Sequence, residues 1–301
     1  MVISNLKIGT SYFFTPLEEF AKKNIRYLEL GQCMKEIIYL NKELKEYFEG
    51  TKATTACCRY IPKKNLTPER FSNIWFANPT EWKDPFEQLF INTSYKLKGK
   101  SDVEFGLNGR IFCLCLAADR QCEAAWKAYK SDAQFTLSKV SLIEILKSNL
   151  PKYDIYIGRV VYKDGSELCT ASYAKLCGKK FIQSKDESWI RLLLLKRMNY
   201  QYEKEIRIIL VDKKSKKERE GISIPIKKPY SNLYTSVFLR PNISKKEELK
   251  IREHLTKKLG LPSDTIKKDP LYDNLKSRKA KNMNLDYKPK KNTNTHQTKT
   301  N

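Results

Sequence analysis

Strand-like and helical stretches follow one another along this chain without the regular strand–helix–strand alternation that a parallel sheet requires. That irregularity restricts the fold to α+β, with a mostly antiparallel central sheet and flanking helices. Short β-rich runs are predicted at 54–61, 74–77, 111–116, 135–137, 155–162, 205–211, 222–226 and 236–239. Helical patterns fall at 121–130, 140–148 and 187–197, with a brief helix opened by Thr67-Pro68-Glu69. Another helix starts at the capping box Ser244-Lys-Lys-Glu247 and runs to about 259. With 41% hydrophobic residues over 301 positions, the chain can bury a sizeable core.

The two ends read differently from the middle. Thr15-Pro16-Leu17-Glu18 is a capping box with proline at the first helical position, followed by Phe20, Ala21 and Ile25 at helical spacing. A second helix is predicted over 32–48, with Ile37, Ile38, Leu40 and Leu44 on its apolar face. Residues 1–52 are thus expected to form a helical N-terminal hairpin, and 53–262 the α+β core domain. Residues 263–301 read as a basic, disordered tail in which lysine, asparagine and threonine dominate. The longest apolar run, 111–118, is eight residues, far short of the roughly 20 that a membrane helix needs. No signal-peptide pattern opens the sequence, so a cytoplasmic protein with no membrane contact is expected.

Histidine scarcity limits the chemistry. The only two, His254 and His296, lie late in the chain, which excludes a Ser-His-Asp triad, a Cys-His pair or a multi-histidine metal centre from everything before them. Cys113, Cys115 and Cys122 lack both a CxxC pair and a nearby histidine, so they read as buried thiols and no metal is expected. Lysine and arginine total 58 against 34 acids, a formal charge of +24, but 45 of the 58 are lysines. Arginine is the usual reader of phosphates and guanines. The excess therefore fits a solvated basic surface, and a nucleic-acid or protein target reached through that surface and the tail is the alternative.

Two segments concentrate chemistry. In Tyr202-Glu203-Lys-Glu205-Ile-Arg207, a period of two puts Glu203, Glu205 and Arg207 on one strand face and Ile206, Ile208 and Leu210 on the other. Two carboxylates and a guanidinium could then orient a hydroxyl or shift a neighbouring pKa, although spacing alone fits an exposed ion-pair face better. The segment 78–87 carries Trp82, Asp84, Phe86 and Glu87 together with two prolines, Pro79 and Pro85, that fix its backbone, a rigid loop suited to a pocket wall. Its bland reading is a corner in which Asp84 caps a helix with Pro85 at the first position.

Together these segments, with Arg59-Tyr60, Phe112-Cys-Leu-Cys-Leu116 and Ala125-Trp126-Lys-Ala-Tyr129, fall in an order that resembles the bacterial family designated domain of unknown function 2971 over about 55–260. Lys83 and Tyr200 depart from that pattern, where asparagine and tryptophan are usual. Glu203-Lys-Glu205 is also similar to the Glu-x-Glu of arginine-specific ADP-ribosyltransferases. That resemblance implies NAD as cofactor, Glu205, Glu203 and Tyr129 as catalytic residues, and Arg59, Tyr60, Trp126 and Arg207 as cofactor-binding residues. It further implies a role in a bacterial toxin or phage-defence system. A carboxylate beside a ribosyl cation needs no histidine, which suits this chain. The non-catalytic alternative is a nucleic-acid-binding or interaction module.

Overall fold

The computed structural model describes residues 36–50, 57–89, 91, 110–118, 123–170, 190–212, 214 and 218–272. In chain order these form β1 (Ile38–Tyr39), α1 (Lys42–Glu49), β2 (Cys57–Ile61), α2 (Pro68–Phe71), β3 (Asn73–Ala77), α3 (Pro85–Leu89) and β4 (Ile111–Ala117). Next come α4 (Glu123–Ala128), β5 (Ala133–Leu137), α5 (Lys139–Asn149), β6 (Asp154–Arg159), β7 (Val161–Lys163) and α6 (Gly165–Thr170). The chain continues through β8 (Leu195–Arg197), β9 (Glu205–Val211), β10 (Gly221–Pro225), β11 (Tyr234–Leu239), α7 (Lys245–Glu253) and β12 (Ile266–Lys268). The architecture is mixed α+β with a mostly antiparallel sheet.

Among the described residues ten strands share that sheet, in the order β1-β6-β9-β4-β2-β5-β11-β12, with β3 and β10 on a side arm. β9 is buried along its whole length, so apolar residues occupy both of its faces. Ile206, Ile208 and Leu210 enter the larger core with Phe112, Leu114, Leu116, Ile155 and Ile157. Ile209 and Val211 enter a second core with Ile111, Cys113, Tyr156 and the run Leu192–Leu195, against which Trp82 and Phe86 pack. The two charged residues of β9, Glu205 and Arg207, lie on this second side.

The sheet forks at β4. One edge of β4 pairs with β9 in full register from Ile111↔Val211 to Ala117↔Glu205. The other edge is shared: Cys113 pairs with Ala77 of β3, while Ala117 pairs with Cys58 of β2. Two arms, β3–β10 and β2–β5–β11–β12, leave the same strand and diverge.

Several sequence expectations change. The helix predicted over 32–48 begins only at Lys42; Ile38 and Tyr39 instead extend the sheet parallel to β6. The Leu40 amide donates to Ile157 O at 2.9 Å and Asn41 Oδ1 accepts from the Arg159 amide, which holds this stretch extended. Leu44 and Phe48 of α1 are part of the larger core. The 187–197 helix is corrected at its end: 195–197 is β8, paired parallel with β7. At the other end, residues 263–272 are folded rather than tail. β12 pairs parallel with β11, Ile266 is buried, and Asp269 Oδ2 accepts from the Trp126 indole at 3.1 Å. The helix at 15–25, the turn at 108–109, Cys122 and residues 273–301 lie outside the described residues.

Candidate active site

The segment before β9 explains why its acids meet. Residues Met198–Glu203 form a 3-10 stretch, and Lys204 then takes a left-handed conformation, φ 43°, before the strand begins. Glu203 is therefore not part of the strand. The sharp turn at Lys204, rather than strand alternation, brings its carboxylate beside that of Glu205. Both acids meet Lys196 of β8: Nζ donates to Glu203 Oε2 at 2.6 Å and to Glu205 Oε2 at 2.9 Å, with Glu87 Oε1 at 3.8 Å.

Arg207 closes the other side. Its Nε donates to Glu205 Oε1 at 2.8 Å, and Nη2 reaches Glu205 Oε2 at 3.2 Å and pairs closely with Glu87. Nη1 donates to the Leu193 carbonyl, and the Trp82 ring covers the guanidinium at 4.2 Å. The Glu205 amide donates to the Tyr162 hydroxyl at 2.8 Å, and the Cys115 thiol hydrogen-bonds its carboxylate. All five charged residues are buried, Arg207 to 1% exposure. The exposed ion-pair face that spacing suggests is thus overturned: the leucine run 192–195 and Trp82 cover it.

Three carboxylates confront two cations here, so one acid lacks a full counter-charge. Burial would raise the pKa of Glu205, but Arg207 and then Lys196 outweigh it and hold this carboxyl well below its usual range. Glu203 goes the other way: burial, reinforced by the charge of Glu205, raises its pKa against the pull of Lys196. Burial lowers the pKa of Lys196, yet Glu205 and Glu87 more than compensate and its ammonium stays charged. Tyr129 joins the cluster from outside. The residue is 41% exposed, while its hydroxyl turns inward to hydrogen-bond Glu203. Desolvation of that hydroxyl, then Glu203 and Glu205, raises its pKa.

The 82–87 loop comes to the same place. Asp84 Oδ1 accepts from the Phe86 amide at 3.0 Å, with Pro85 first in α3, so this acid does act as a cap. Its carboxylate also pairs with Arg197 at 3.2 Å, and Arg197 lies over the Phe86 ring at 4.6 Å. Tyr60 stacks on Tyr129 with centroids 5.6 Å apart. Trp126 is committed elsewhere, to Asp269 and edge-on to Tyr60. Arg59 is not in contact with these acids; it lines the cleft at the fork of the sheet. His254 bonds the Leu66 carbonyl. Among the described residues no group of histidine, cysteine, aspartate and glutamate side chains is arranged to hold a metal ion.

Sequence reasoning missed Lys196, the ammonium both glutamates share. Its signal is the cation directly continuing the run Leu192–Leu195, which needs a partner if that run is buried. Tyr162 was also missed, because 155–162 reads as one strand whereas the chain breaks at Val160 into β6 and β7. A cleft of about 490 Å³ opens beside Glu205, lined by Arg159, Tyr162, Tyr202 and Lys204. No helix among the described residues is long and apolar enough to cross a membrane. No protein-family model matches the chain, and neither a curated protein nor a solved structure matches it.

Proposed function

We propose that the protein transfers the ADP-ribosyl group of NAD, with Glu203 as the carboxylate that meets the ribosyl cation and Glu205 as its ion-paired support. The observation that carries this reading is the unequal state of two adjacent acids. Glu205 has both oxygens engaged by Arg207 and Lys196, whereas Glu203 bonds Lys196 and the inward hydroxyl of the surface residue Tyr129. The resemblance to ADP-ribosyltransferases instead implies that the second glutamate, Glu205 here, holds the ribose hydroxyl and stabilises the cation, so this reading exchanges the two roles. In the reaction the bond between ribose and nicotinamide breaks and its electron pair leaves with nicotinamide. Ionised Glu203 stabilises the cation and then accepts the proton of the attacking nucleophile. The stacked Tyr60–Tyr129 pair offers a flat surface for a ring.

Incubating the full chain with NAD and measuring free nicotinamide tests this. Wild type should release it, and Glu203→Gln and Tyr129→Phe should slow release by about 10²-fold or more. A folded wild-type protein that releases none, with water or with protein acceptors, defeats the proposal.

The enclosure of the cluster favours a second reading, a non-catalytic interaction module whose buried charges only specify the fold. Binding to nucleic acid would then fall steeply with salt and be indifferent to Glu203→Gln.

A further inference from the structure

The fork in the sheet leaves a cleft of about 650 Å³ between its two arms. Arg59 of β2 and Tyr234 of β11 line it from one arm, and Trp75 of β3 and Ser223 of β10 from the other, with Arg70 and Phe71 of α2 across the opening. Trp75 is the unusual wall residue. Its indole lies over Gly221 of β10, where the missing side chain leaves room for it, yet the residue stays 43% exposed on a strand whose neighbours Ile74 and Phe76 are buried.

Arg59 is the second unusual feature. The residue is half-buried overall, but its guanidinium is withdrawn far enough that desolvation lowers its pKa. Only the Tyr234 hydroxyl and the Cys115 thiol offset this, and among the described residues no carboxylate pairs with it. The hydroxyl of Tyr234 is itself pushed up to about 12 by burial, so it stays a neutral donor at physiological pH. The contrast with Arg207, which holds two glutamates, is sharp. A half-buried cation that faces a cleft without a counter-ion is poised to receive an anion.

We infer that this cleft binds a small ligand carrying one anionic group and one flat ring, the chemistry of a nucleoside monophosphate, with the anion on Arg59 and the ring against Trp75. Arg70 at the opening is tied only to the Asn65 carboxamide and can turn to a second phosphate oxygen. Glu69 and Glu220 stand on the same lining and repel polyanions, which favours a single phosphate over a nucleic-acid strand. None of its lining residues belongs to the Lys196 cluster, and the one it shares with the NAD reading, Tyr60, takes no part in holding the anion or the ring here.

Thermal unfolding of the full chain, alone and with AMP, adenosine or inorganic phosphate, tests it. Without ligand, Arg59→Met should raise the midpoint by about 2–4 °C, because an uncompensated cation has been replaced by an apolar chain. Saturating AMP should raise the wild-type midpoint by at least about 2 °C, phosphate by less, and adenosine not at all. Arg59→Met should abolish the AMP shift, Trp75→Ala should weaken AMP binding about tenfold, and Glu203→Gln should leave it intact. If Arg59→Met does not fold, Trp75→Ala, at an exposed position, carries the comparison alone. No AMP shift in wild type, an equal shift in both variants, or a response to single-stranded oligonucleotide but not to AMP overturns the inference.

Discussion

Glu203 and Glu205 reach the same ammonium, that of Lys196, at 2.6 and 2.9 Å, yet only Glu205 also holds Arg207. The two carboxylates are chemically identical, so the difference between them is made by their partners. Removing either charge should therefore change stability in opposite directions. Glu205→Gln takes from Arg207 the carboxylate that engages both its Nε and Nη2, and from Lys196 one of its two close acceptors, in a buried layer, and should cost about 3–5 kcal/mol. Glu203→Gln brings the cluster to two acids and two cations and should be neutral or stabilising by about 1 kcal/mol at neutral pH. Urea unfolding of both variants decides this. Equal destabilisation would show that the acids are interchangeable parts of one ion-pair network.

The same asymmetry sets the pH dependence. Glu203 has a folded pKa above its unfolded value of 4.5. The unfolded chain thus ionises first, and stability falls as pH rises from 4.5 to that raised value, then levels off. Glu205 has a folded pKa below 4.5, so its contribution is full above 4.5 and is lost as pH falls toward its depressed value. Denaturant midpoints measured from about pH 3 to 8 should show both limbs in wild type. Glu203→Gln should erase the decline above 4.5, and Glu205→Gln the loss below it. If the protein turns over NAD, activity should rise with pH through the raised pKa of Glu203, since the ionised form does the work.

What could be read in advance follows from which forces are local. Glu205, Arg207 and their apolar partners Ile206, Ile208 and Leu210 were legible because a strand's alternation is written in the sequence. Asp84 was legible as a cap for the same reason: its partner, the Phe86 amide, is two residues away. The loop residues Trp82 and Glu87 could be flagged as unusual, but nothing local says that they close over Arg207 from 120 residues away. Burial was misjudged because charged residues are normally exposed, and only the long-range arrival of the leucine run 192–195 reverses that. Ile38–Tyr39 carried a helical pattern of apolar residues, which pairing with β6 overrode.

The folded stretch after 262 makes a separate prediction. Asp269 is buried and accepts from the Trp126 indole, and Ile266 fills the core beneath β11. A chain ending at 262 leaves the Trp126 N–H unpaired and uncovers the outer edge of β11. It should be about 3–5 kcal/mol less stable than the full chain by calorimetry or denaturant titration. Trp126→Phe in the full chain isolates the hydrogen bond and should cost about 1–3 kcal/mol, because Asp269 Oδ2 loses the indole donor while Oδ1 keeps the Leu271 amide. A truncation at 262 with wild-type stability would mean that β12 adds nothing to the sheet.

The sharpest test of the cluster is a double-mutant cycle between Lys196 and Glu203. Lys196→Met removes the ammonium between the two glutamates and leaves three acids facing Arg207 alone. That change should cost about 3–5 kcal/mol. Adding Glu203→Gln to it removes the acid that then has no cation of its own, so the double variant should be more stable than Lys196→Met. Pairing Lys196→Met with Glu205→Gln instead strips Arg207 of its bidentate partner and should recover less. Coupling energies of about 0.5–3 kcal/mol are usual for residues in contact. The cycle with Glu203 should give the larger relief, because Lys196 and the Tyr129 hydroxyl are the groups that stabilise its charge, whereas Arg207 still supports Glu205. Equal relief from both cycles would mean that Lys196 serves the two glutamates alike, and the distinct role of Glu203 would lose its basis.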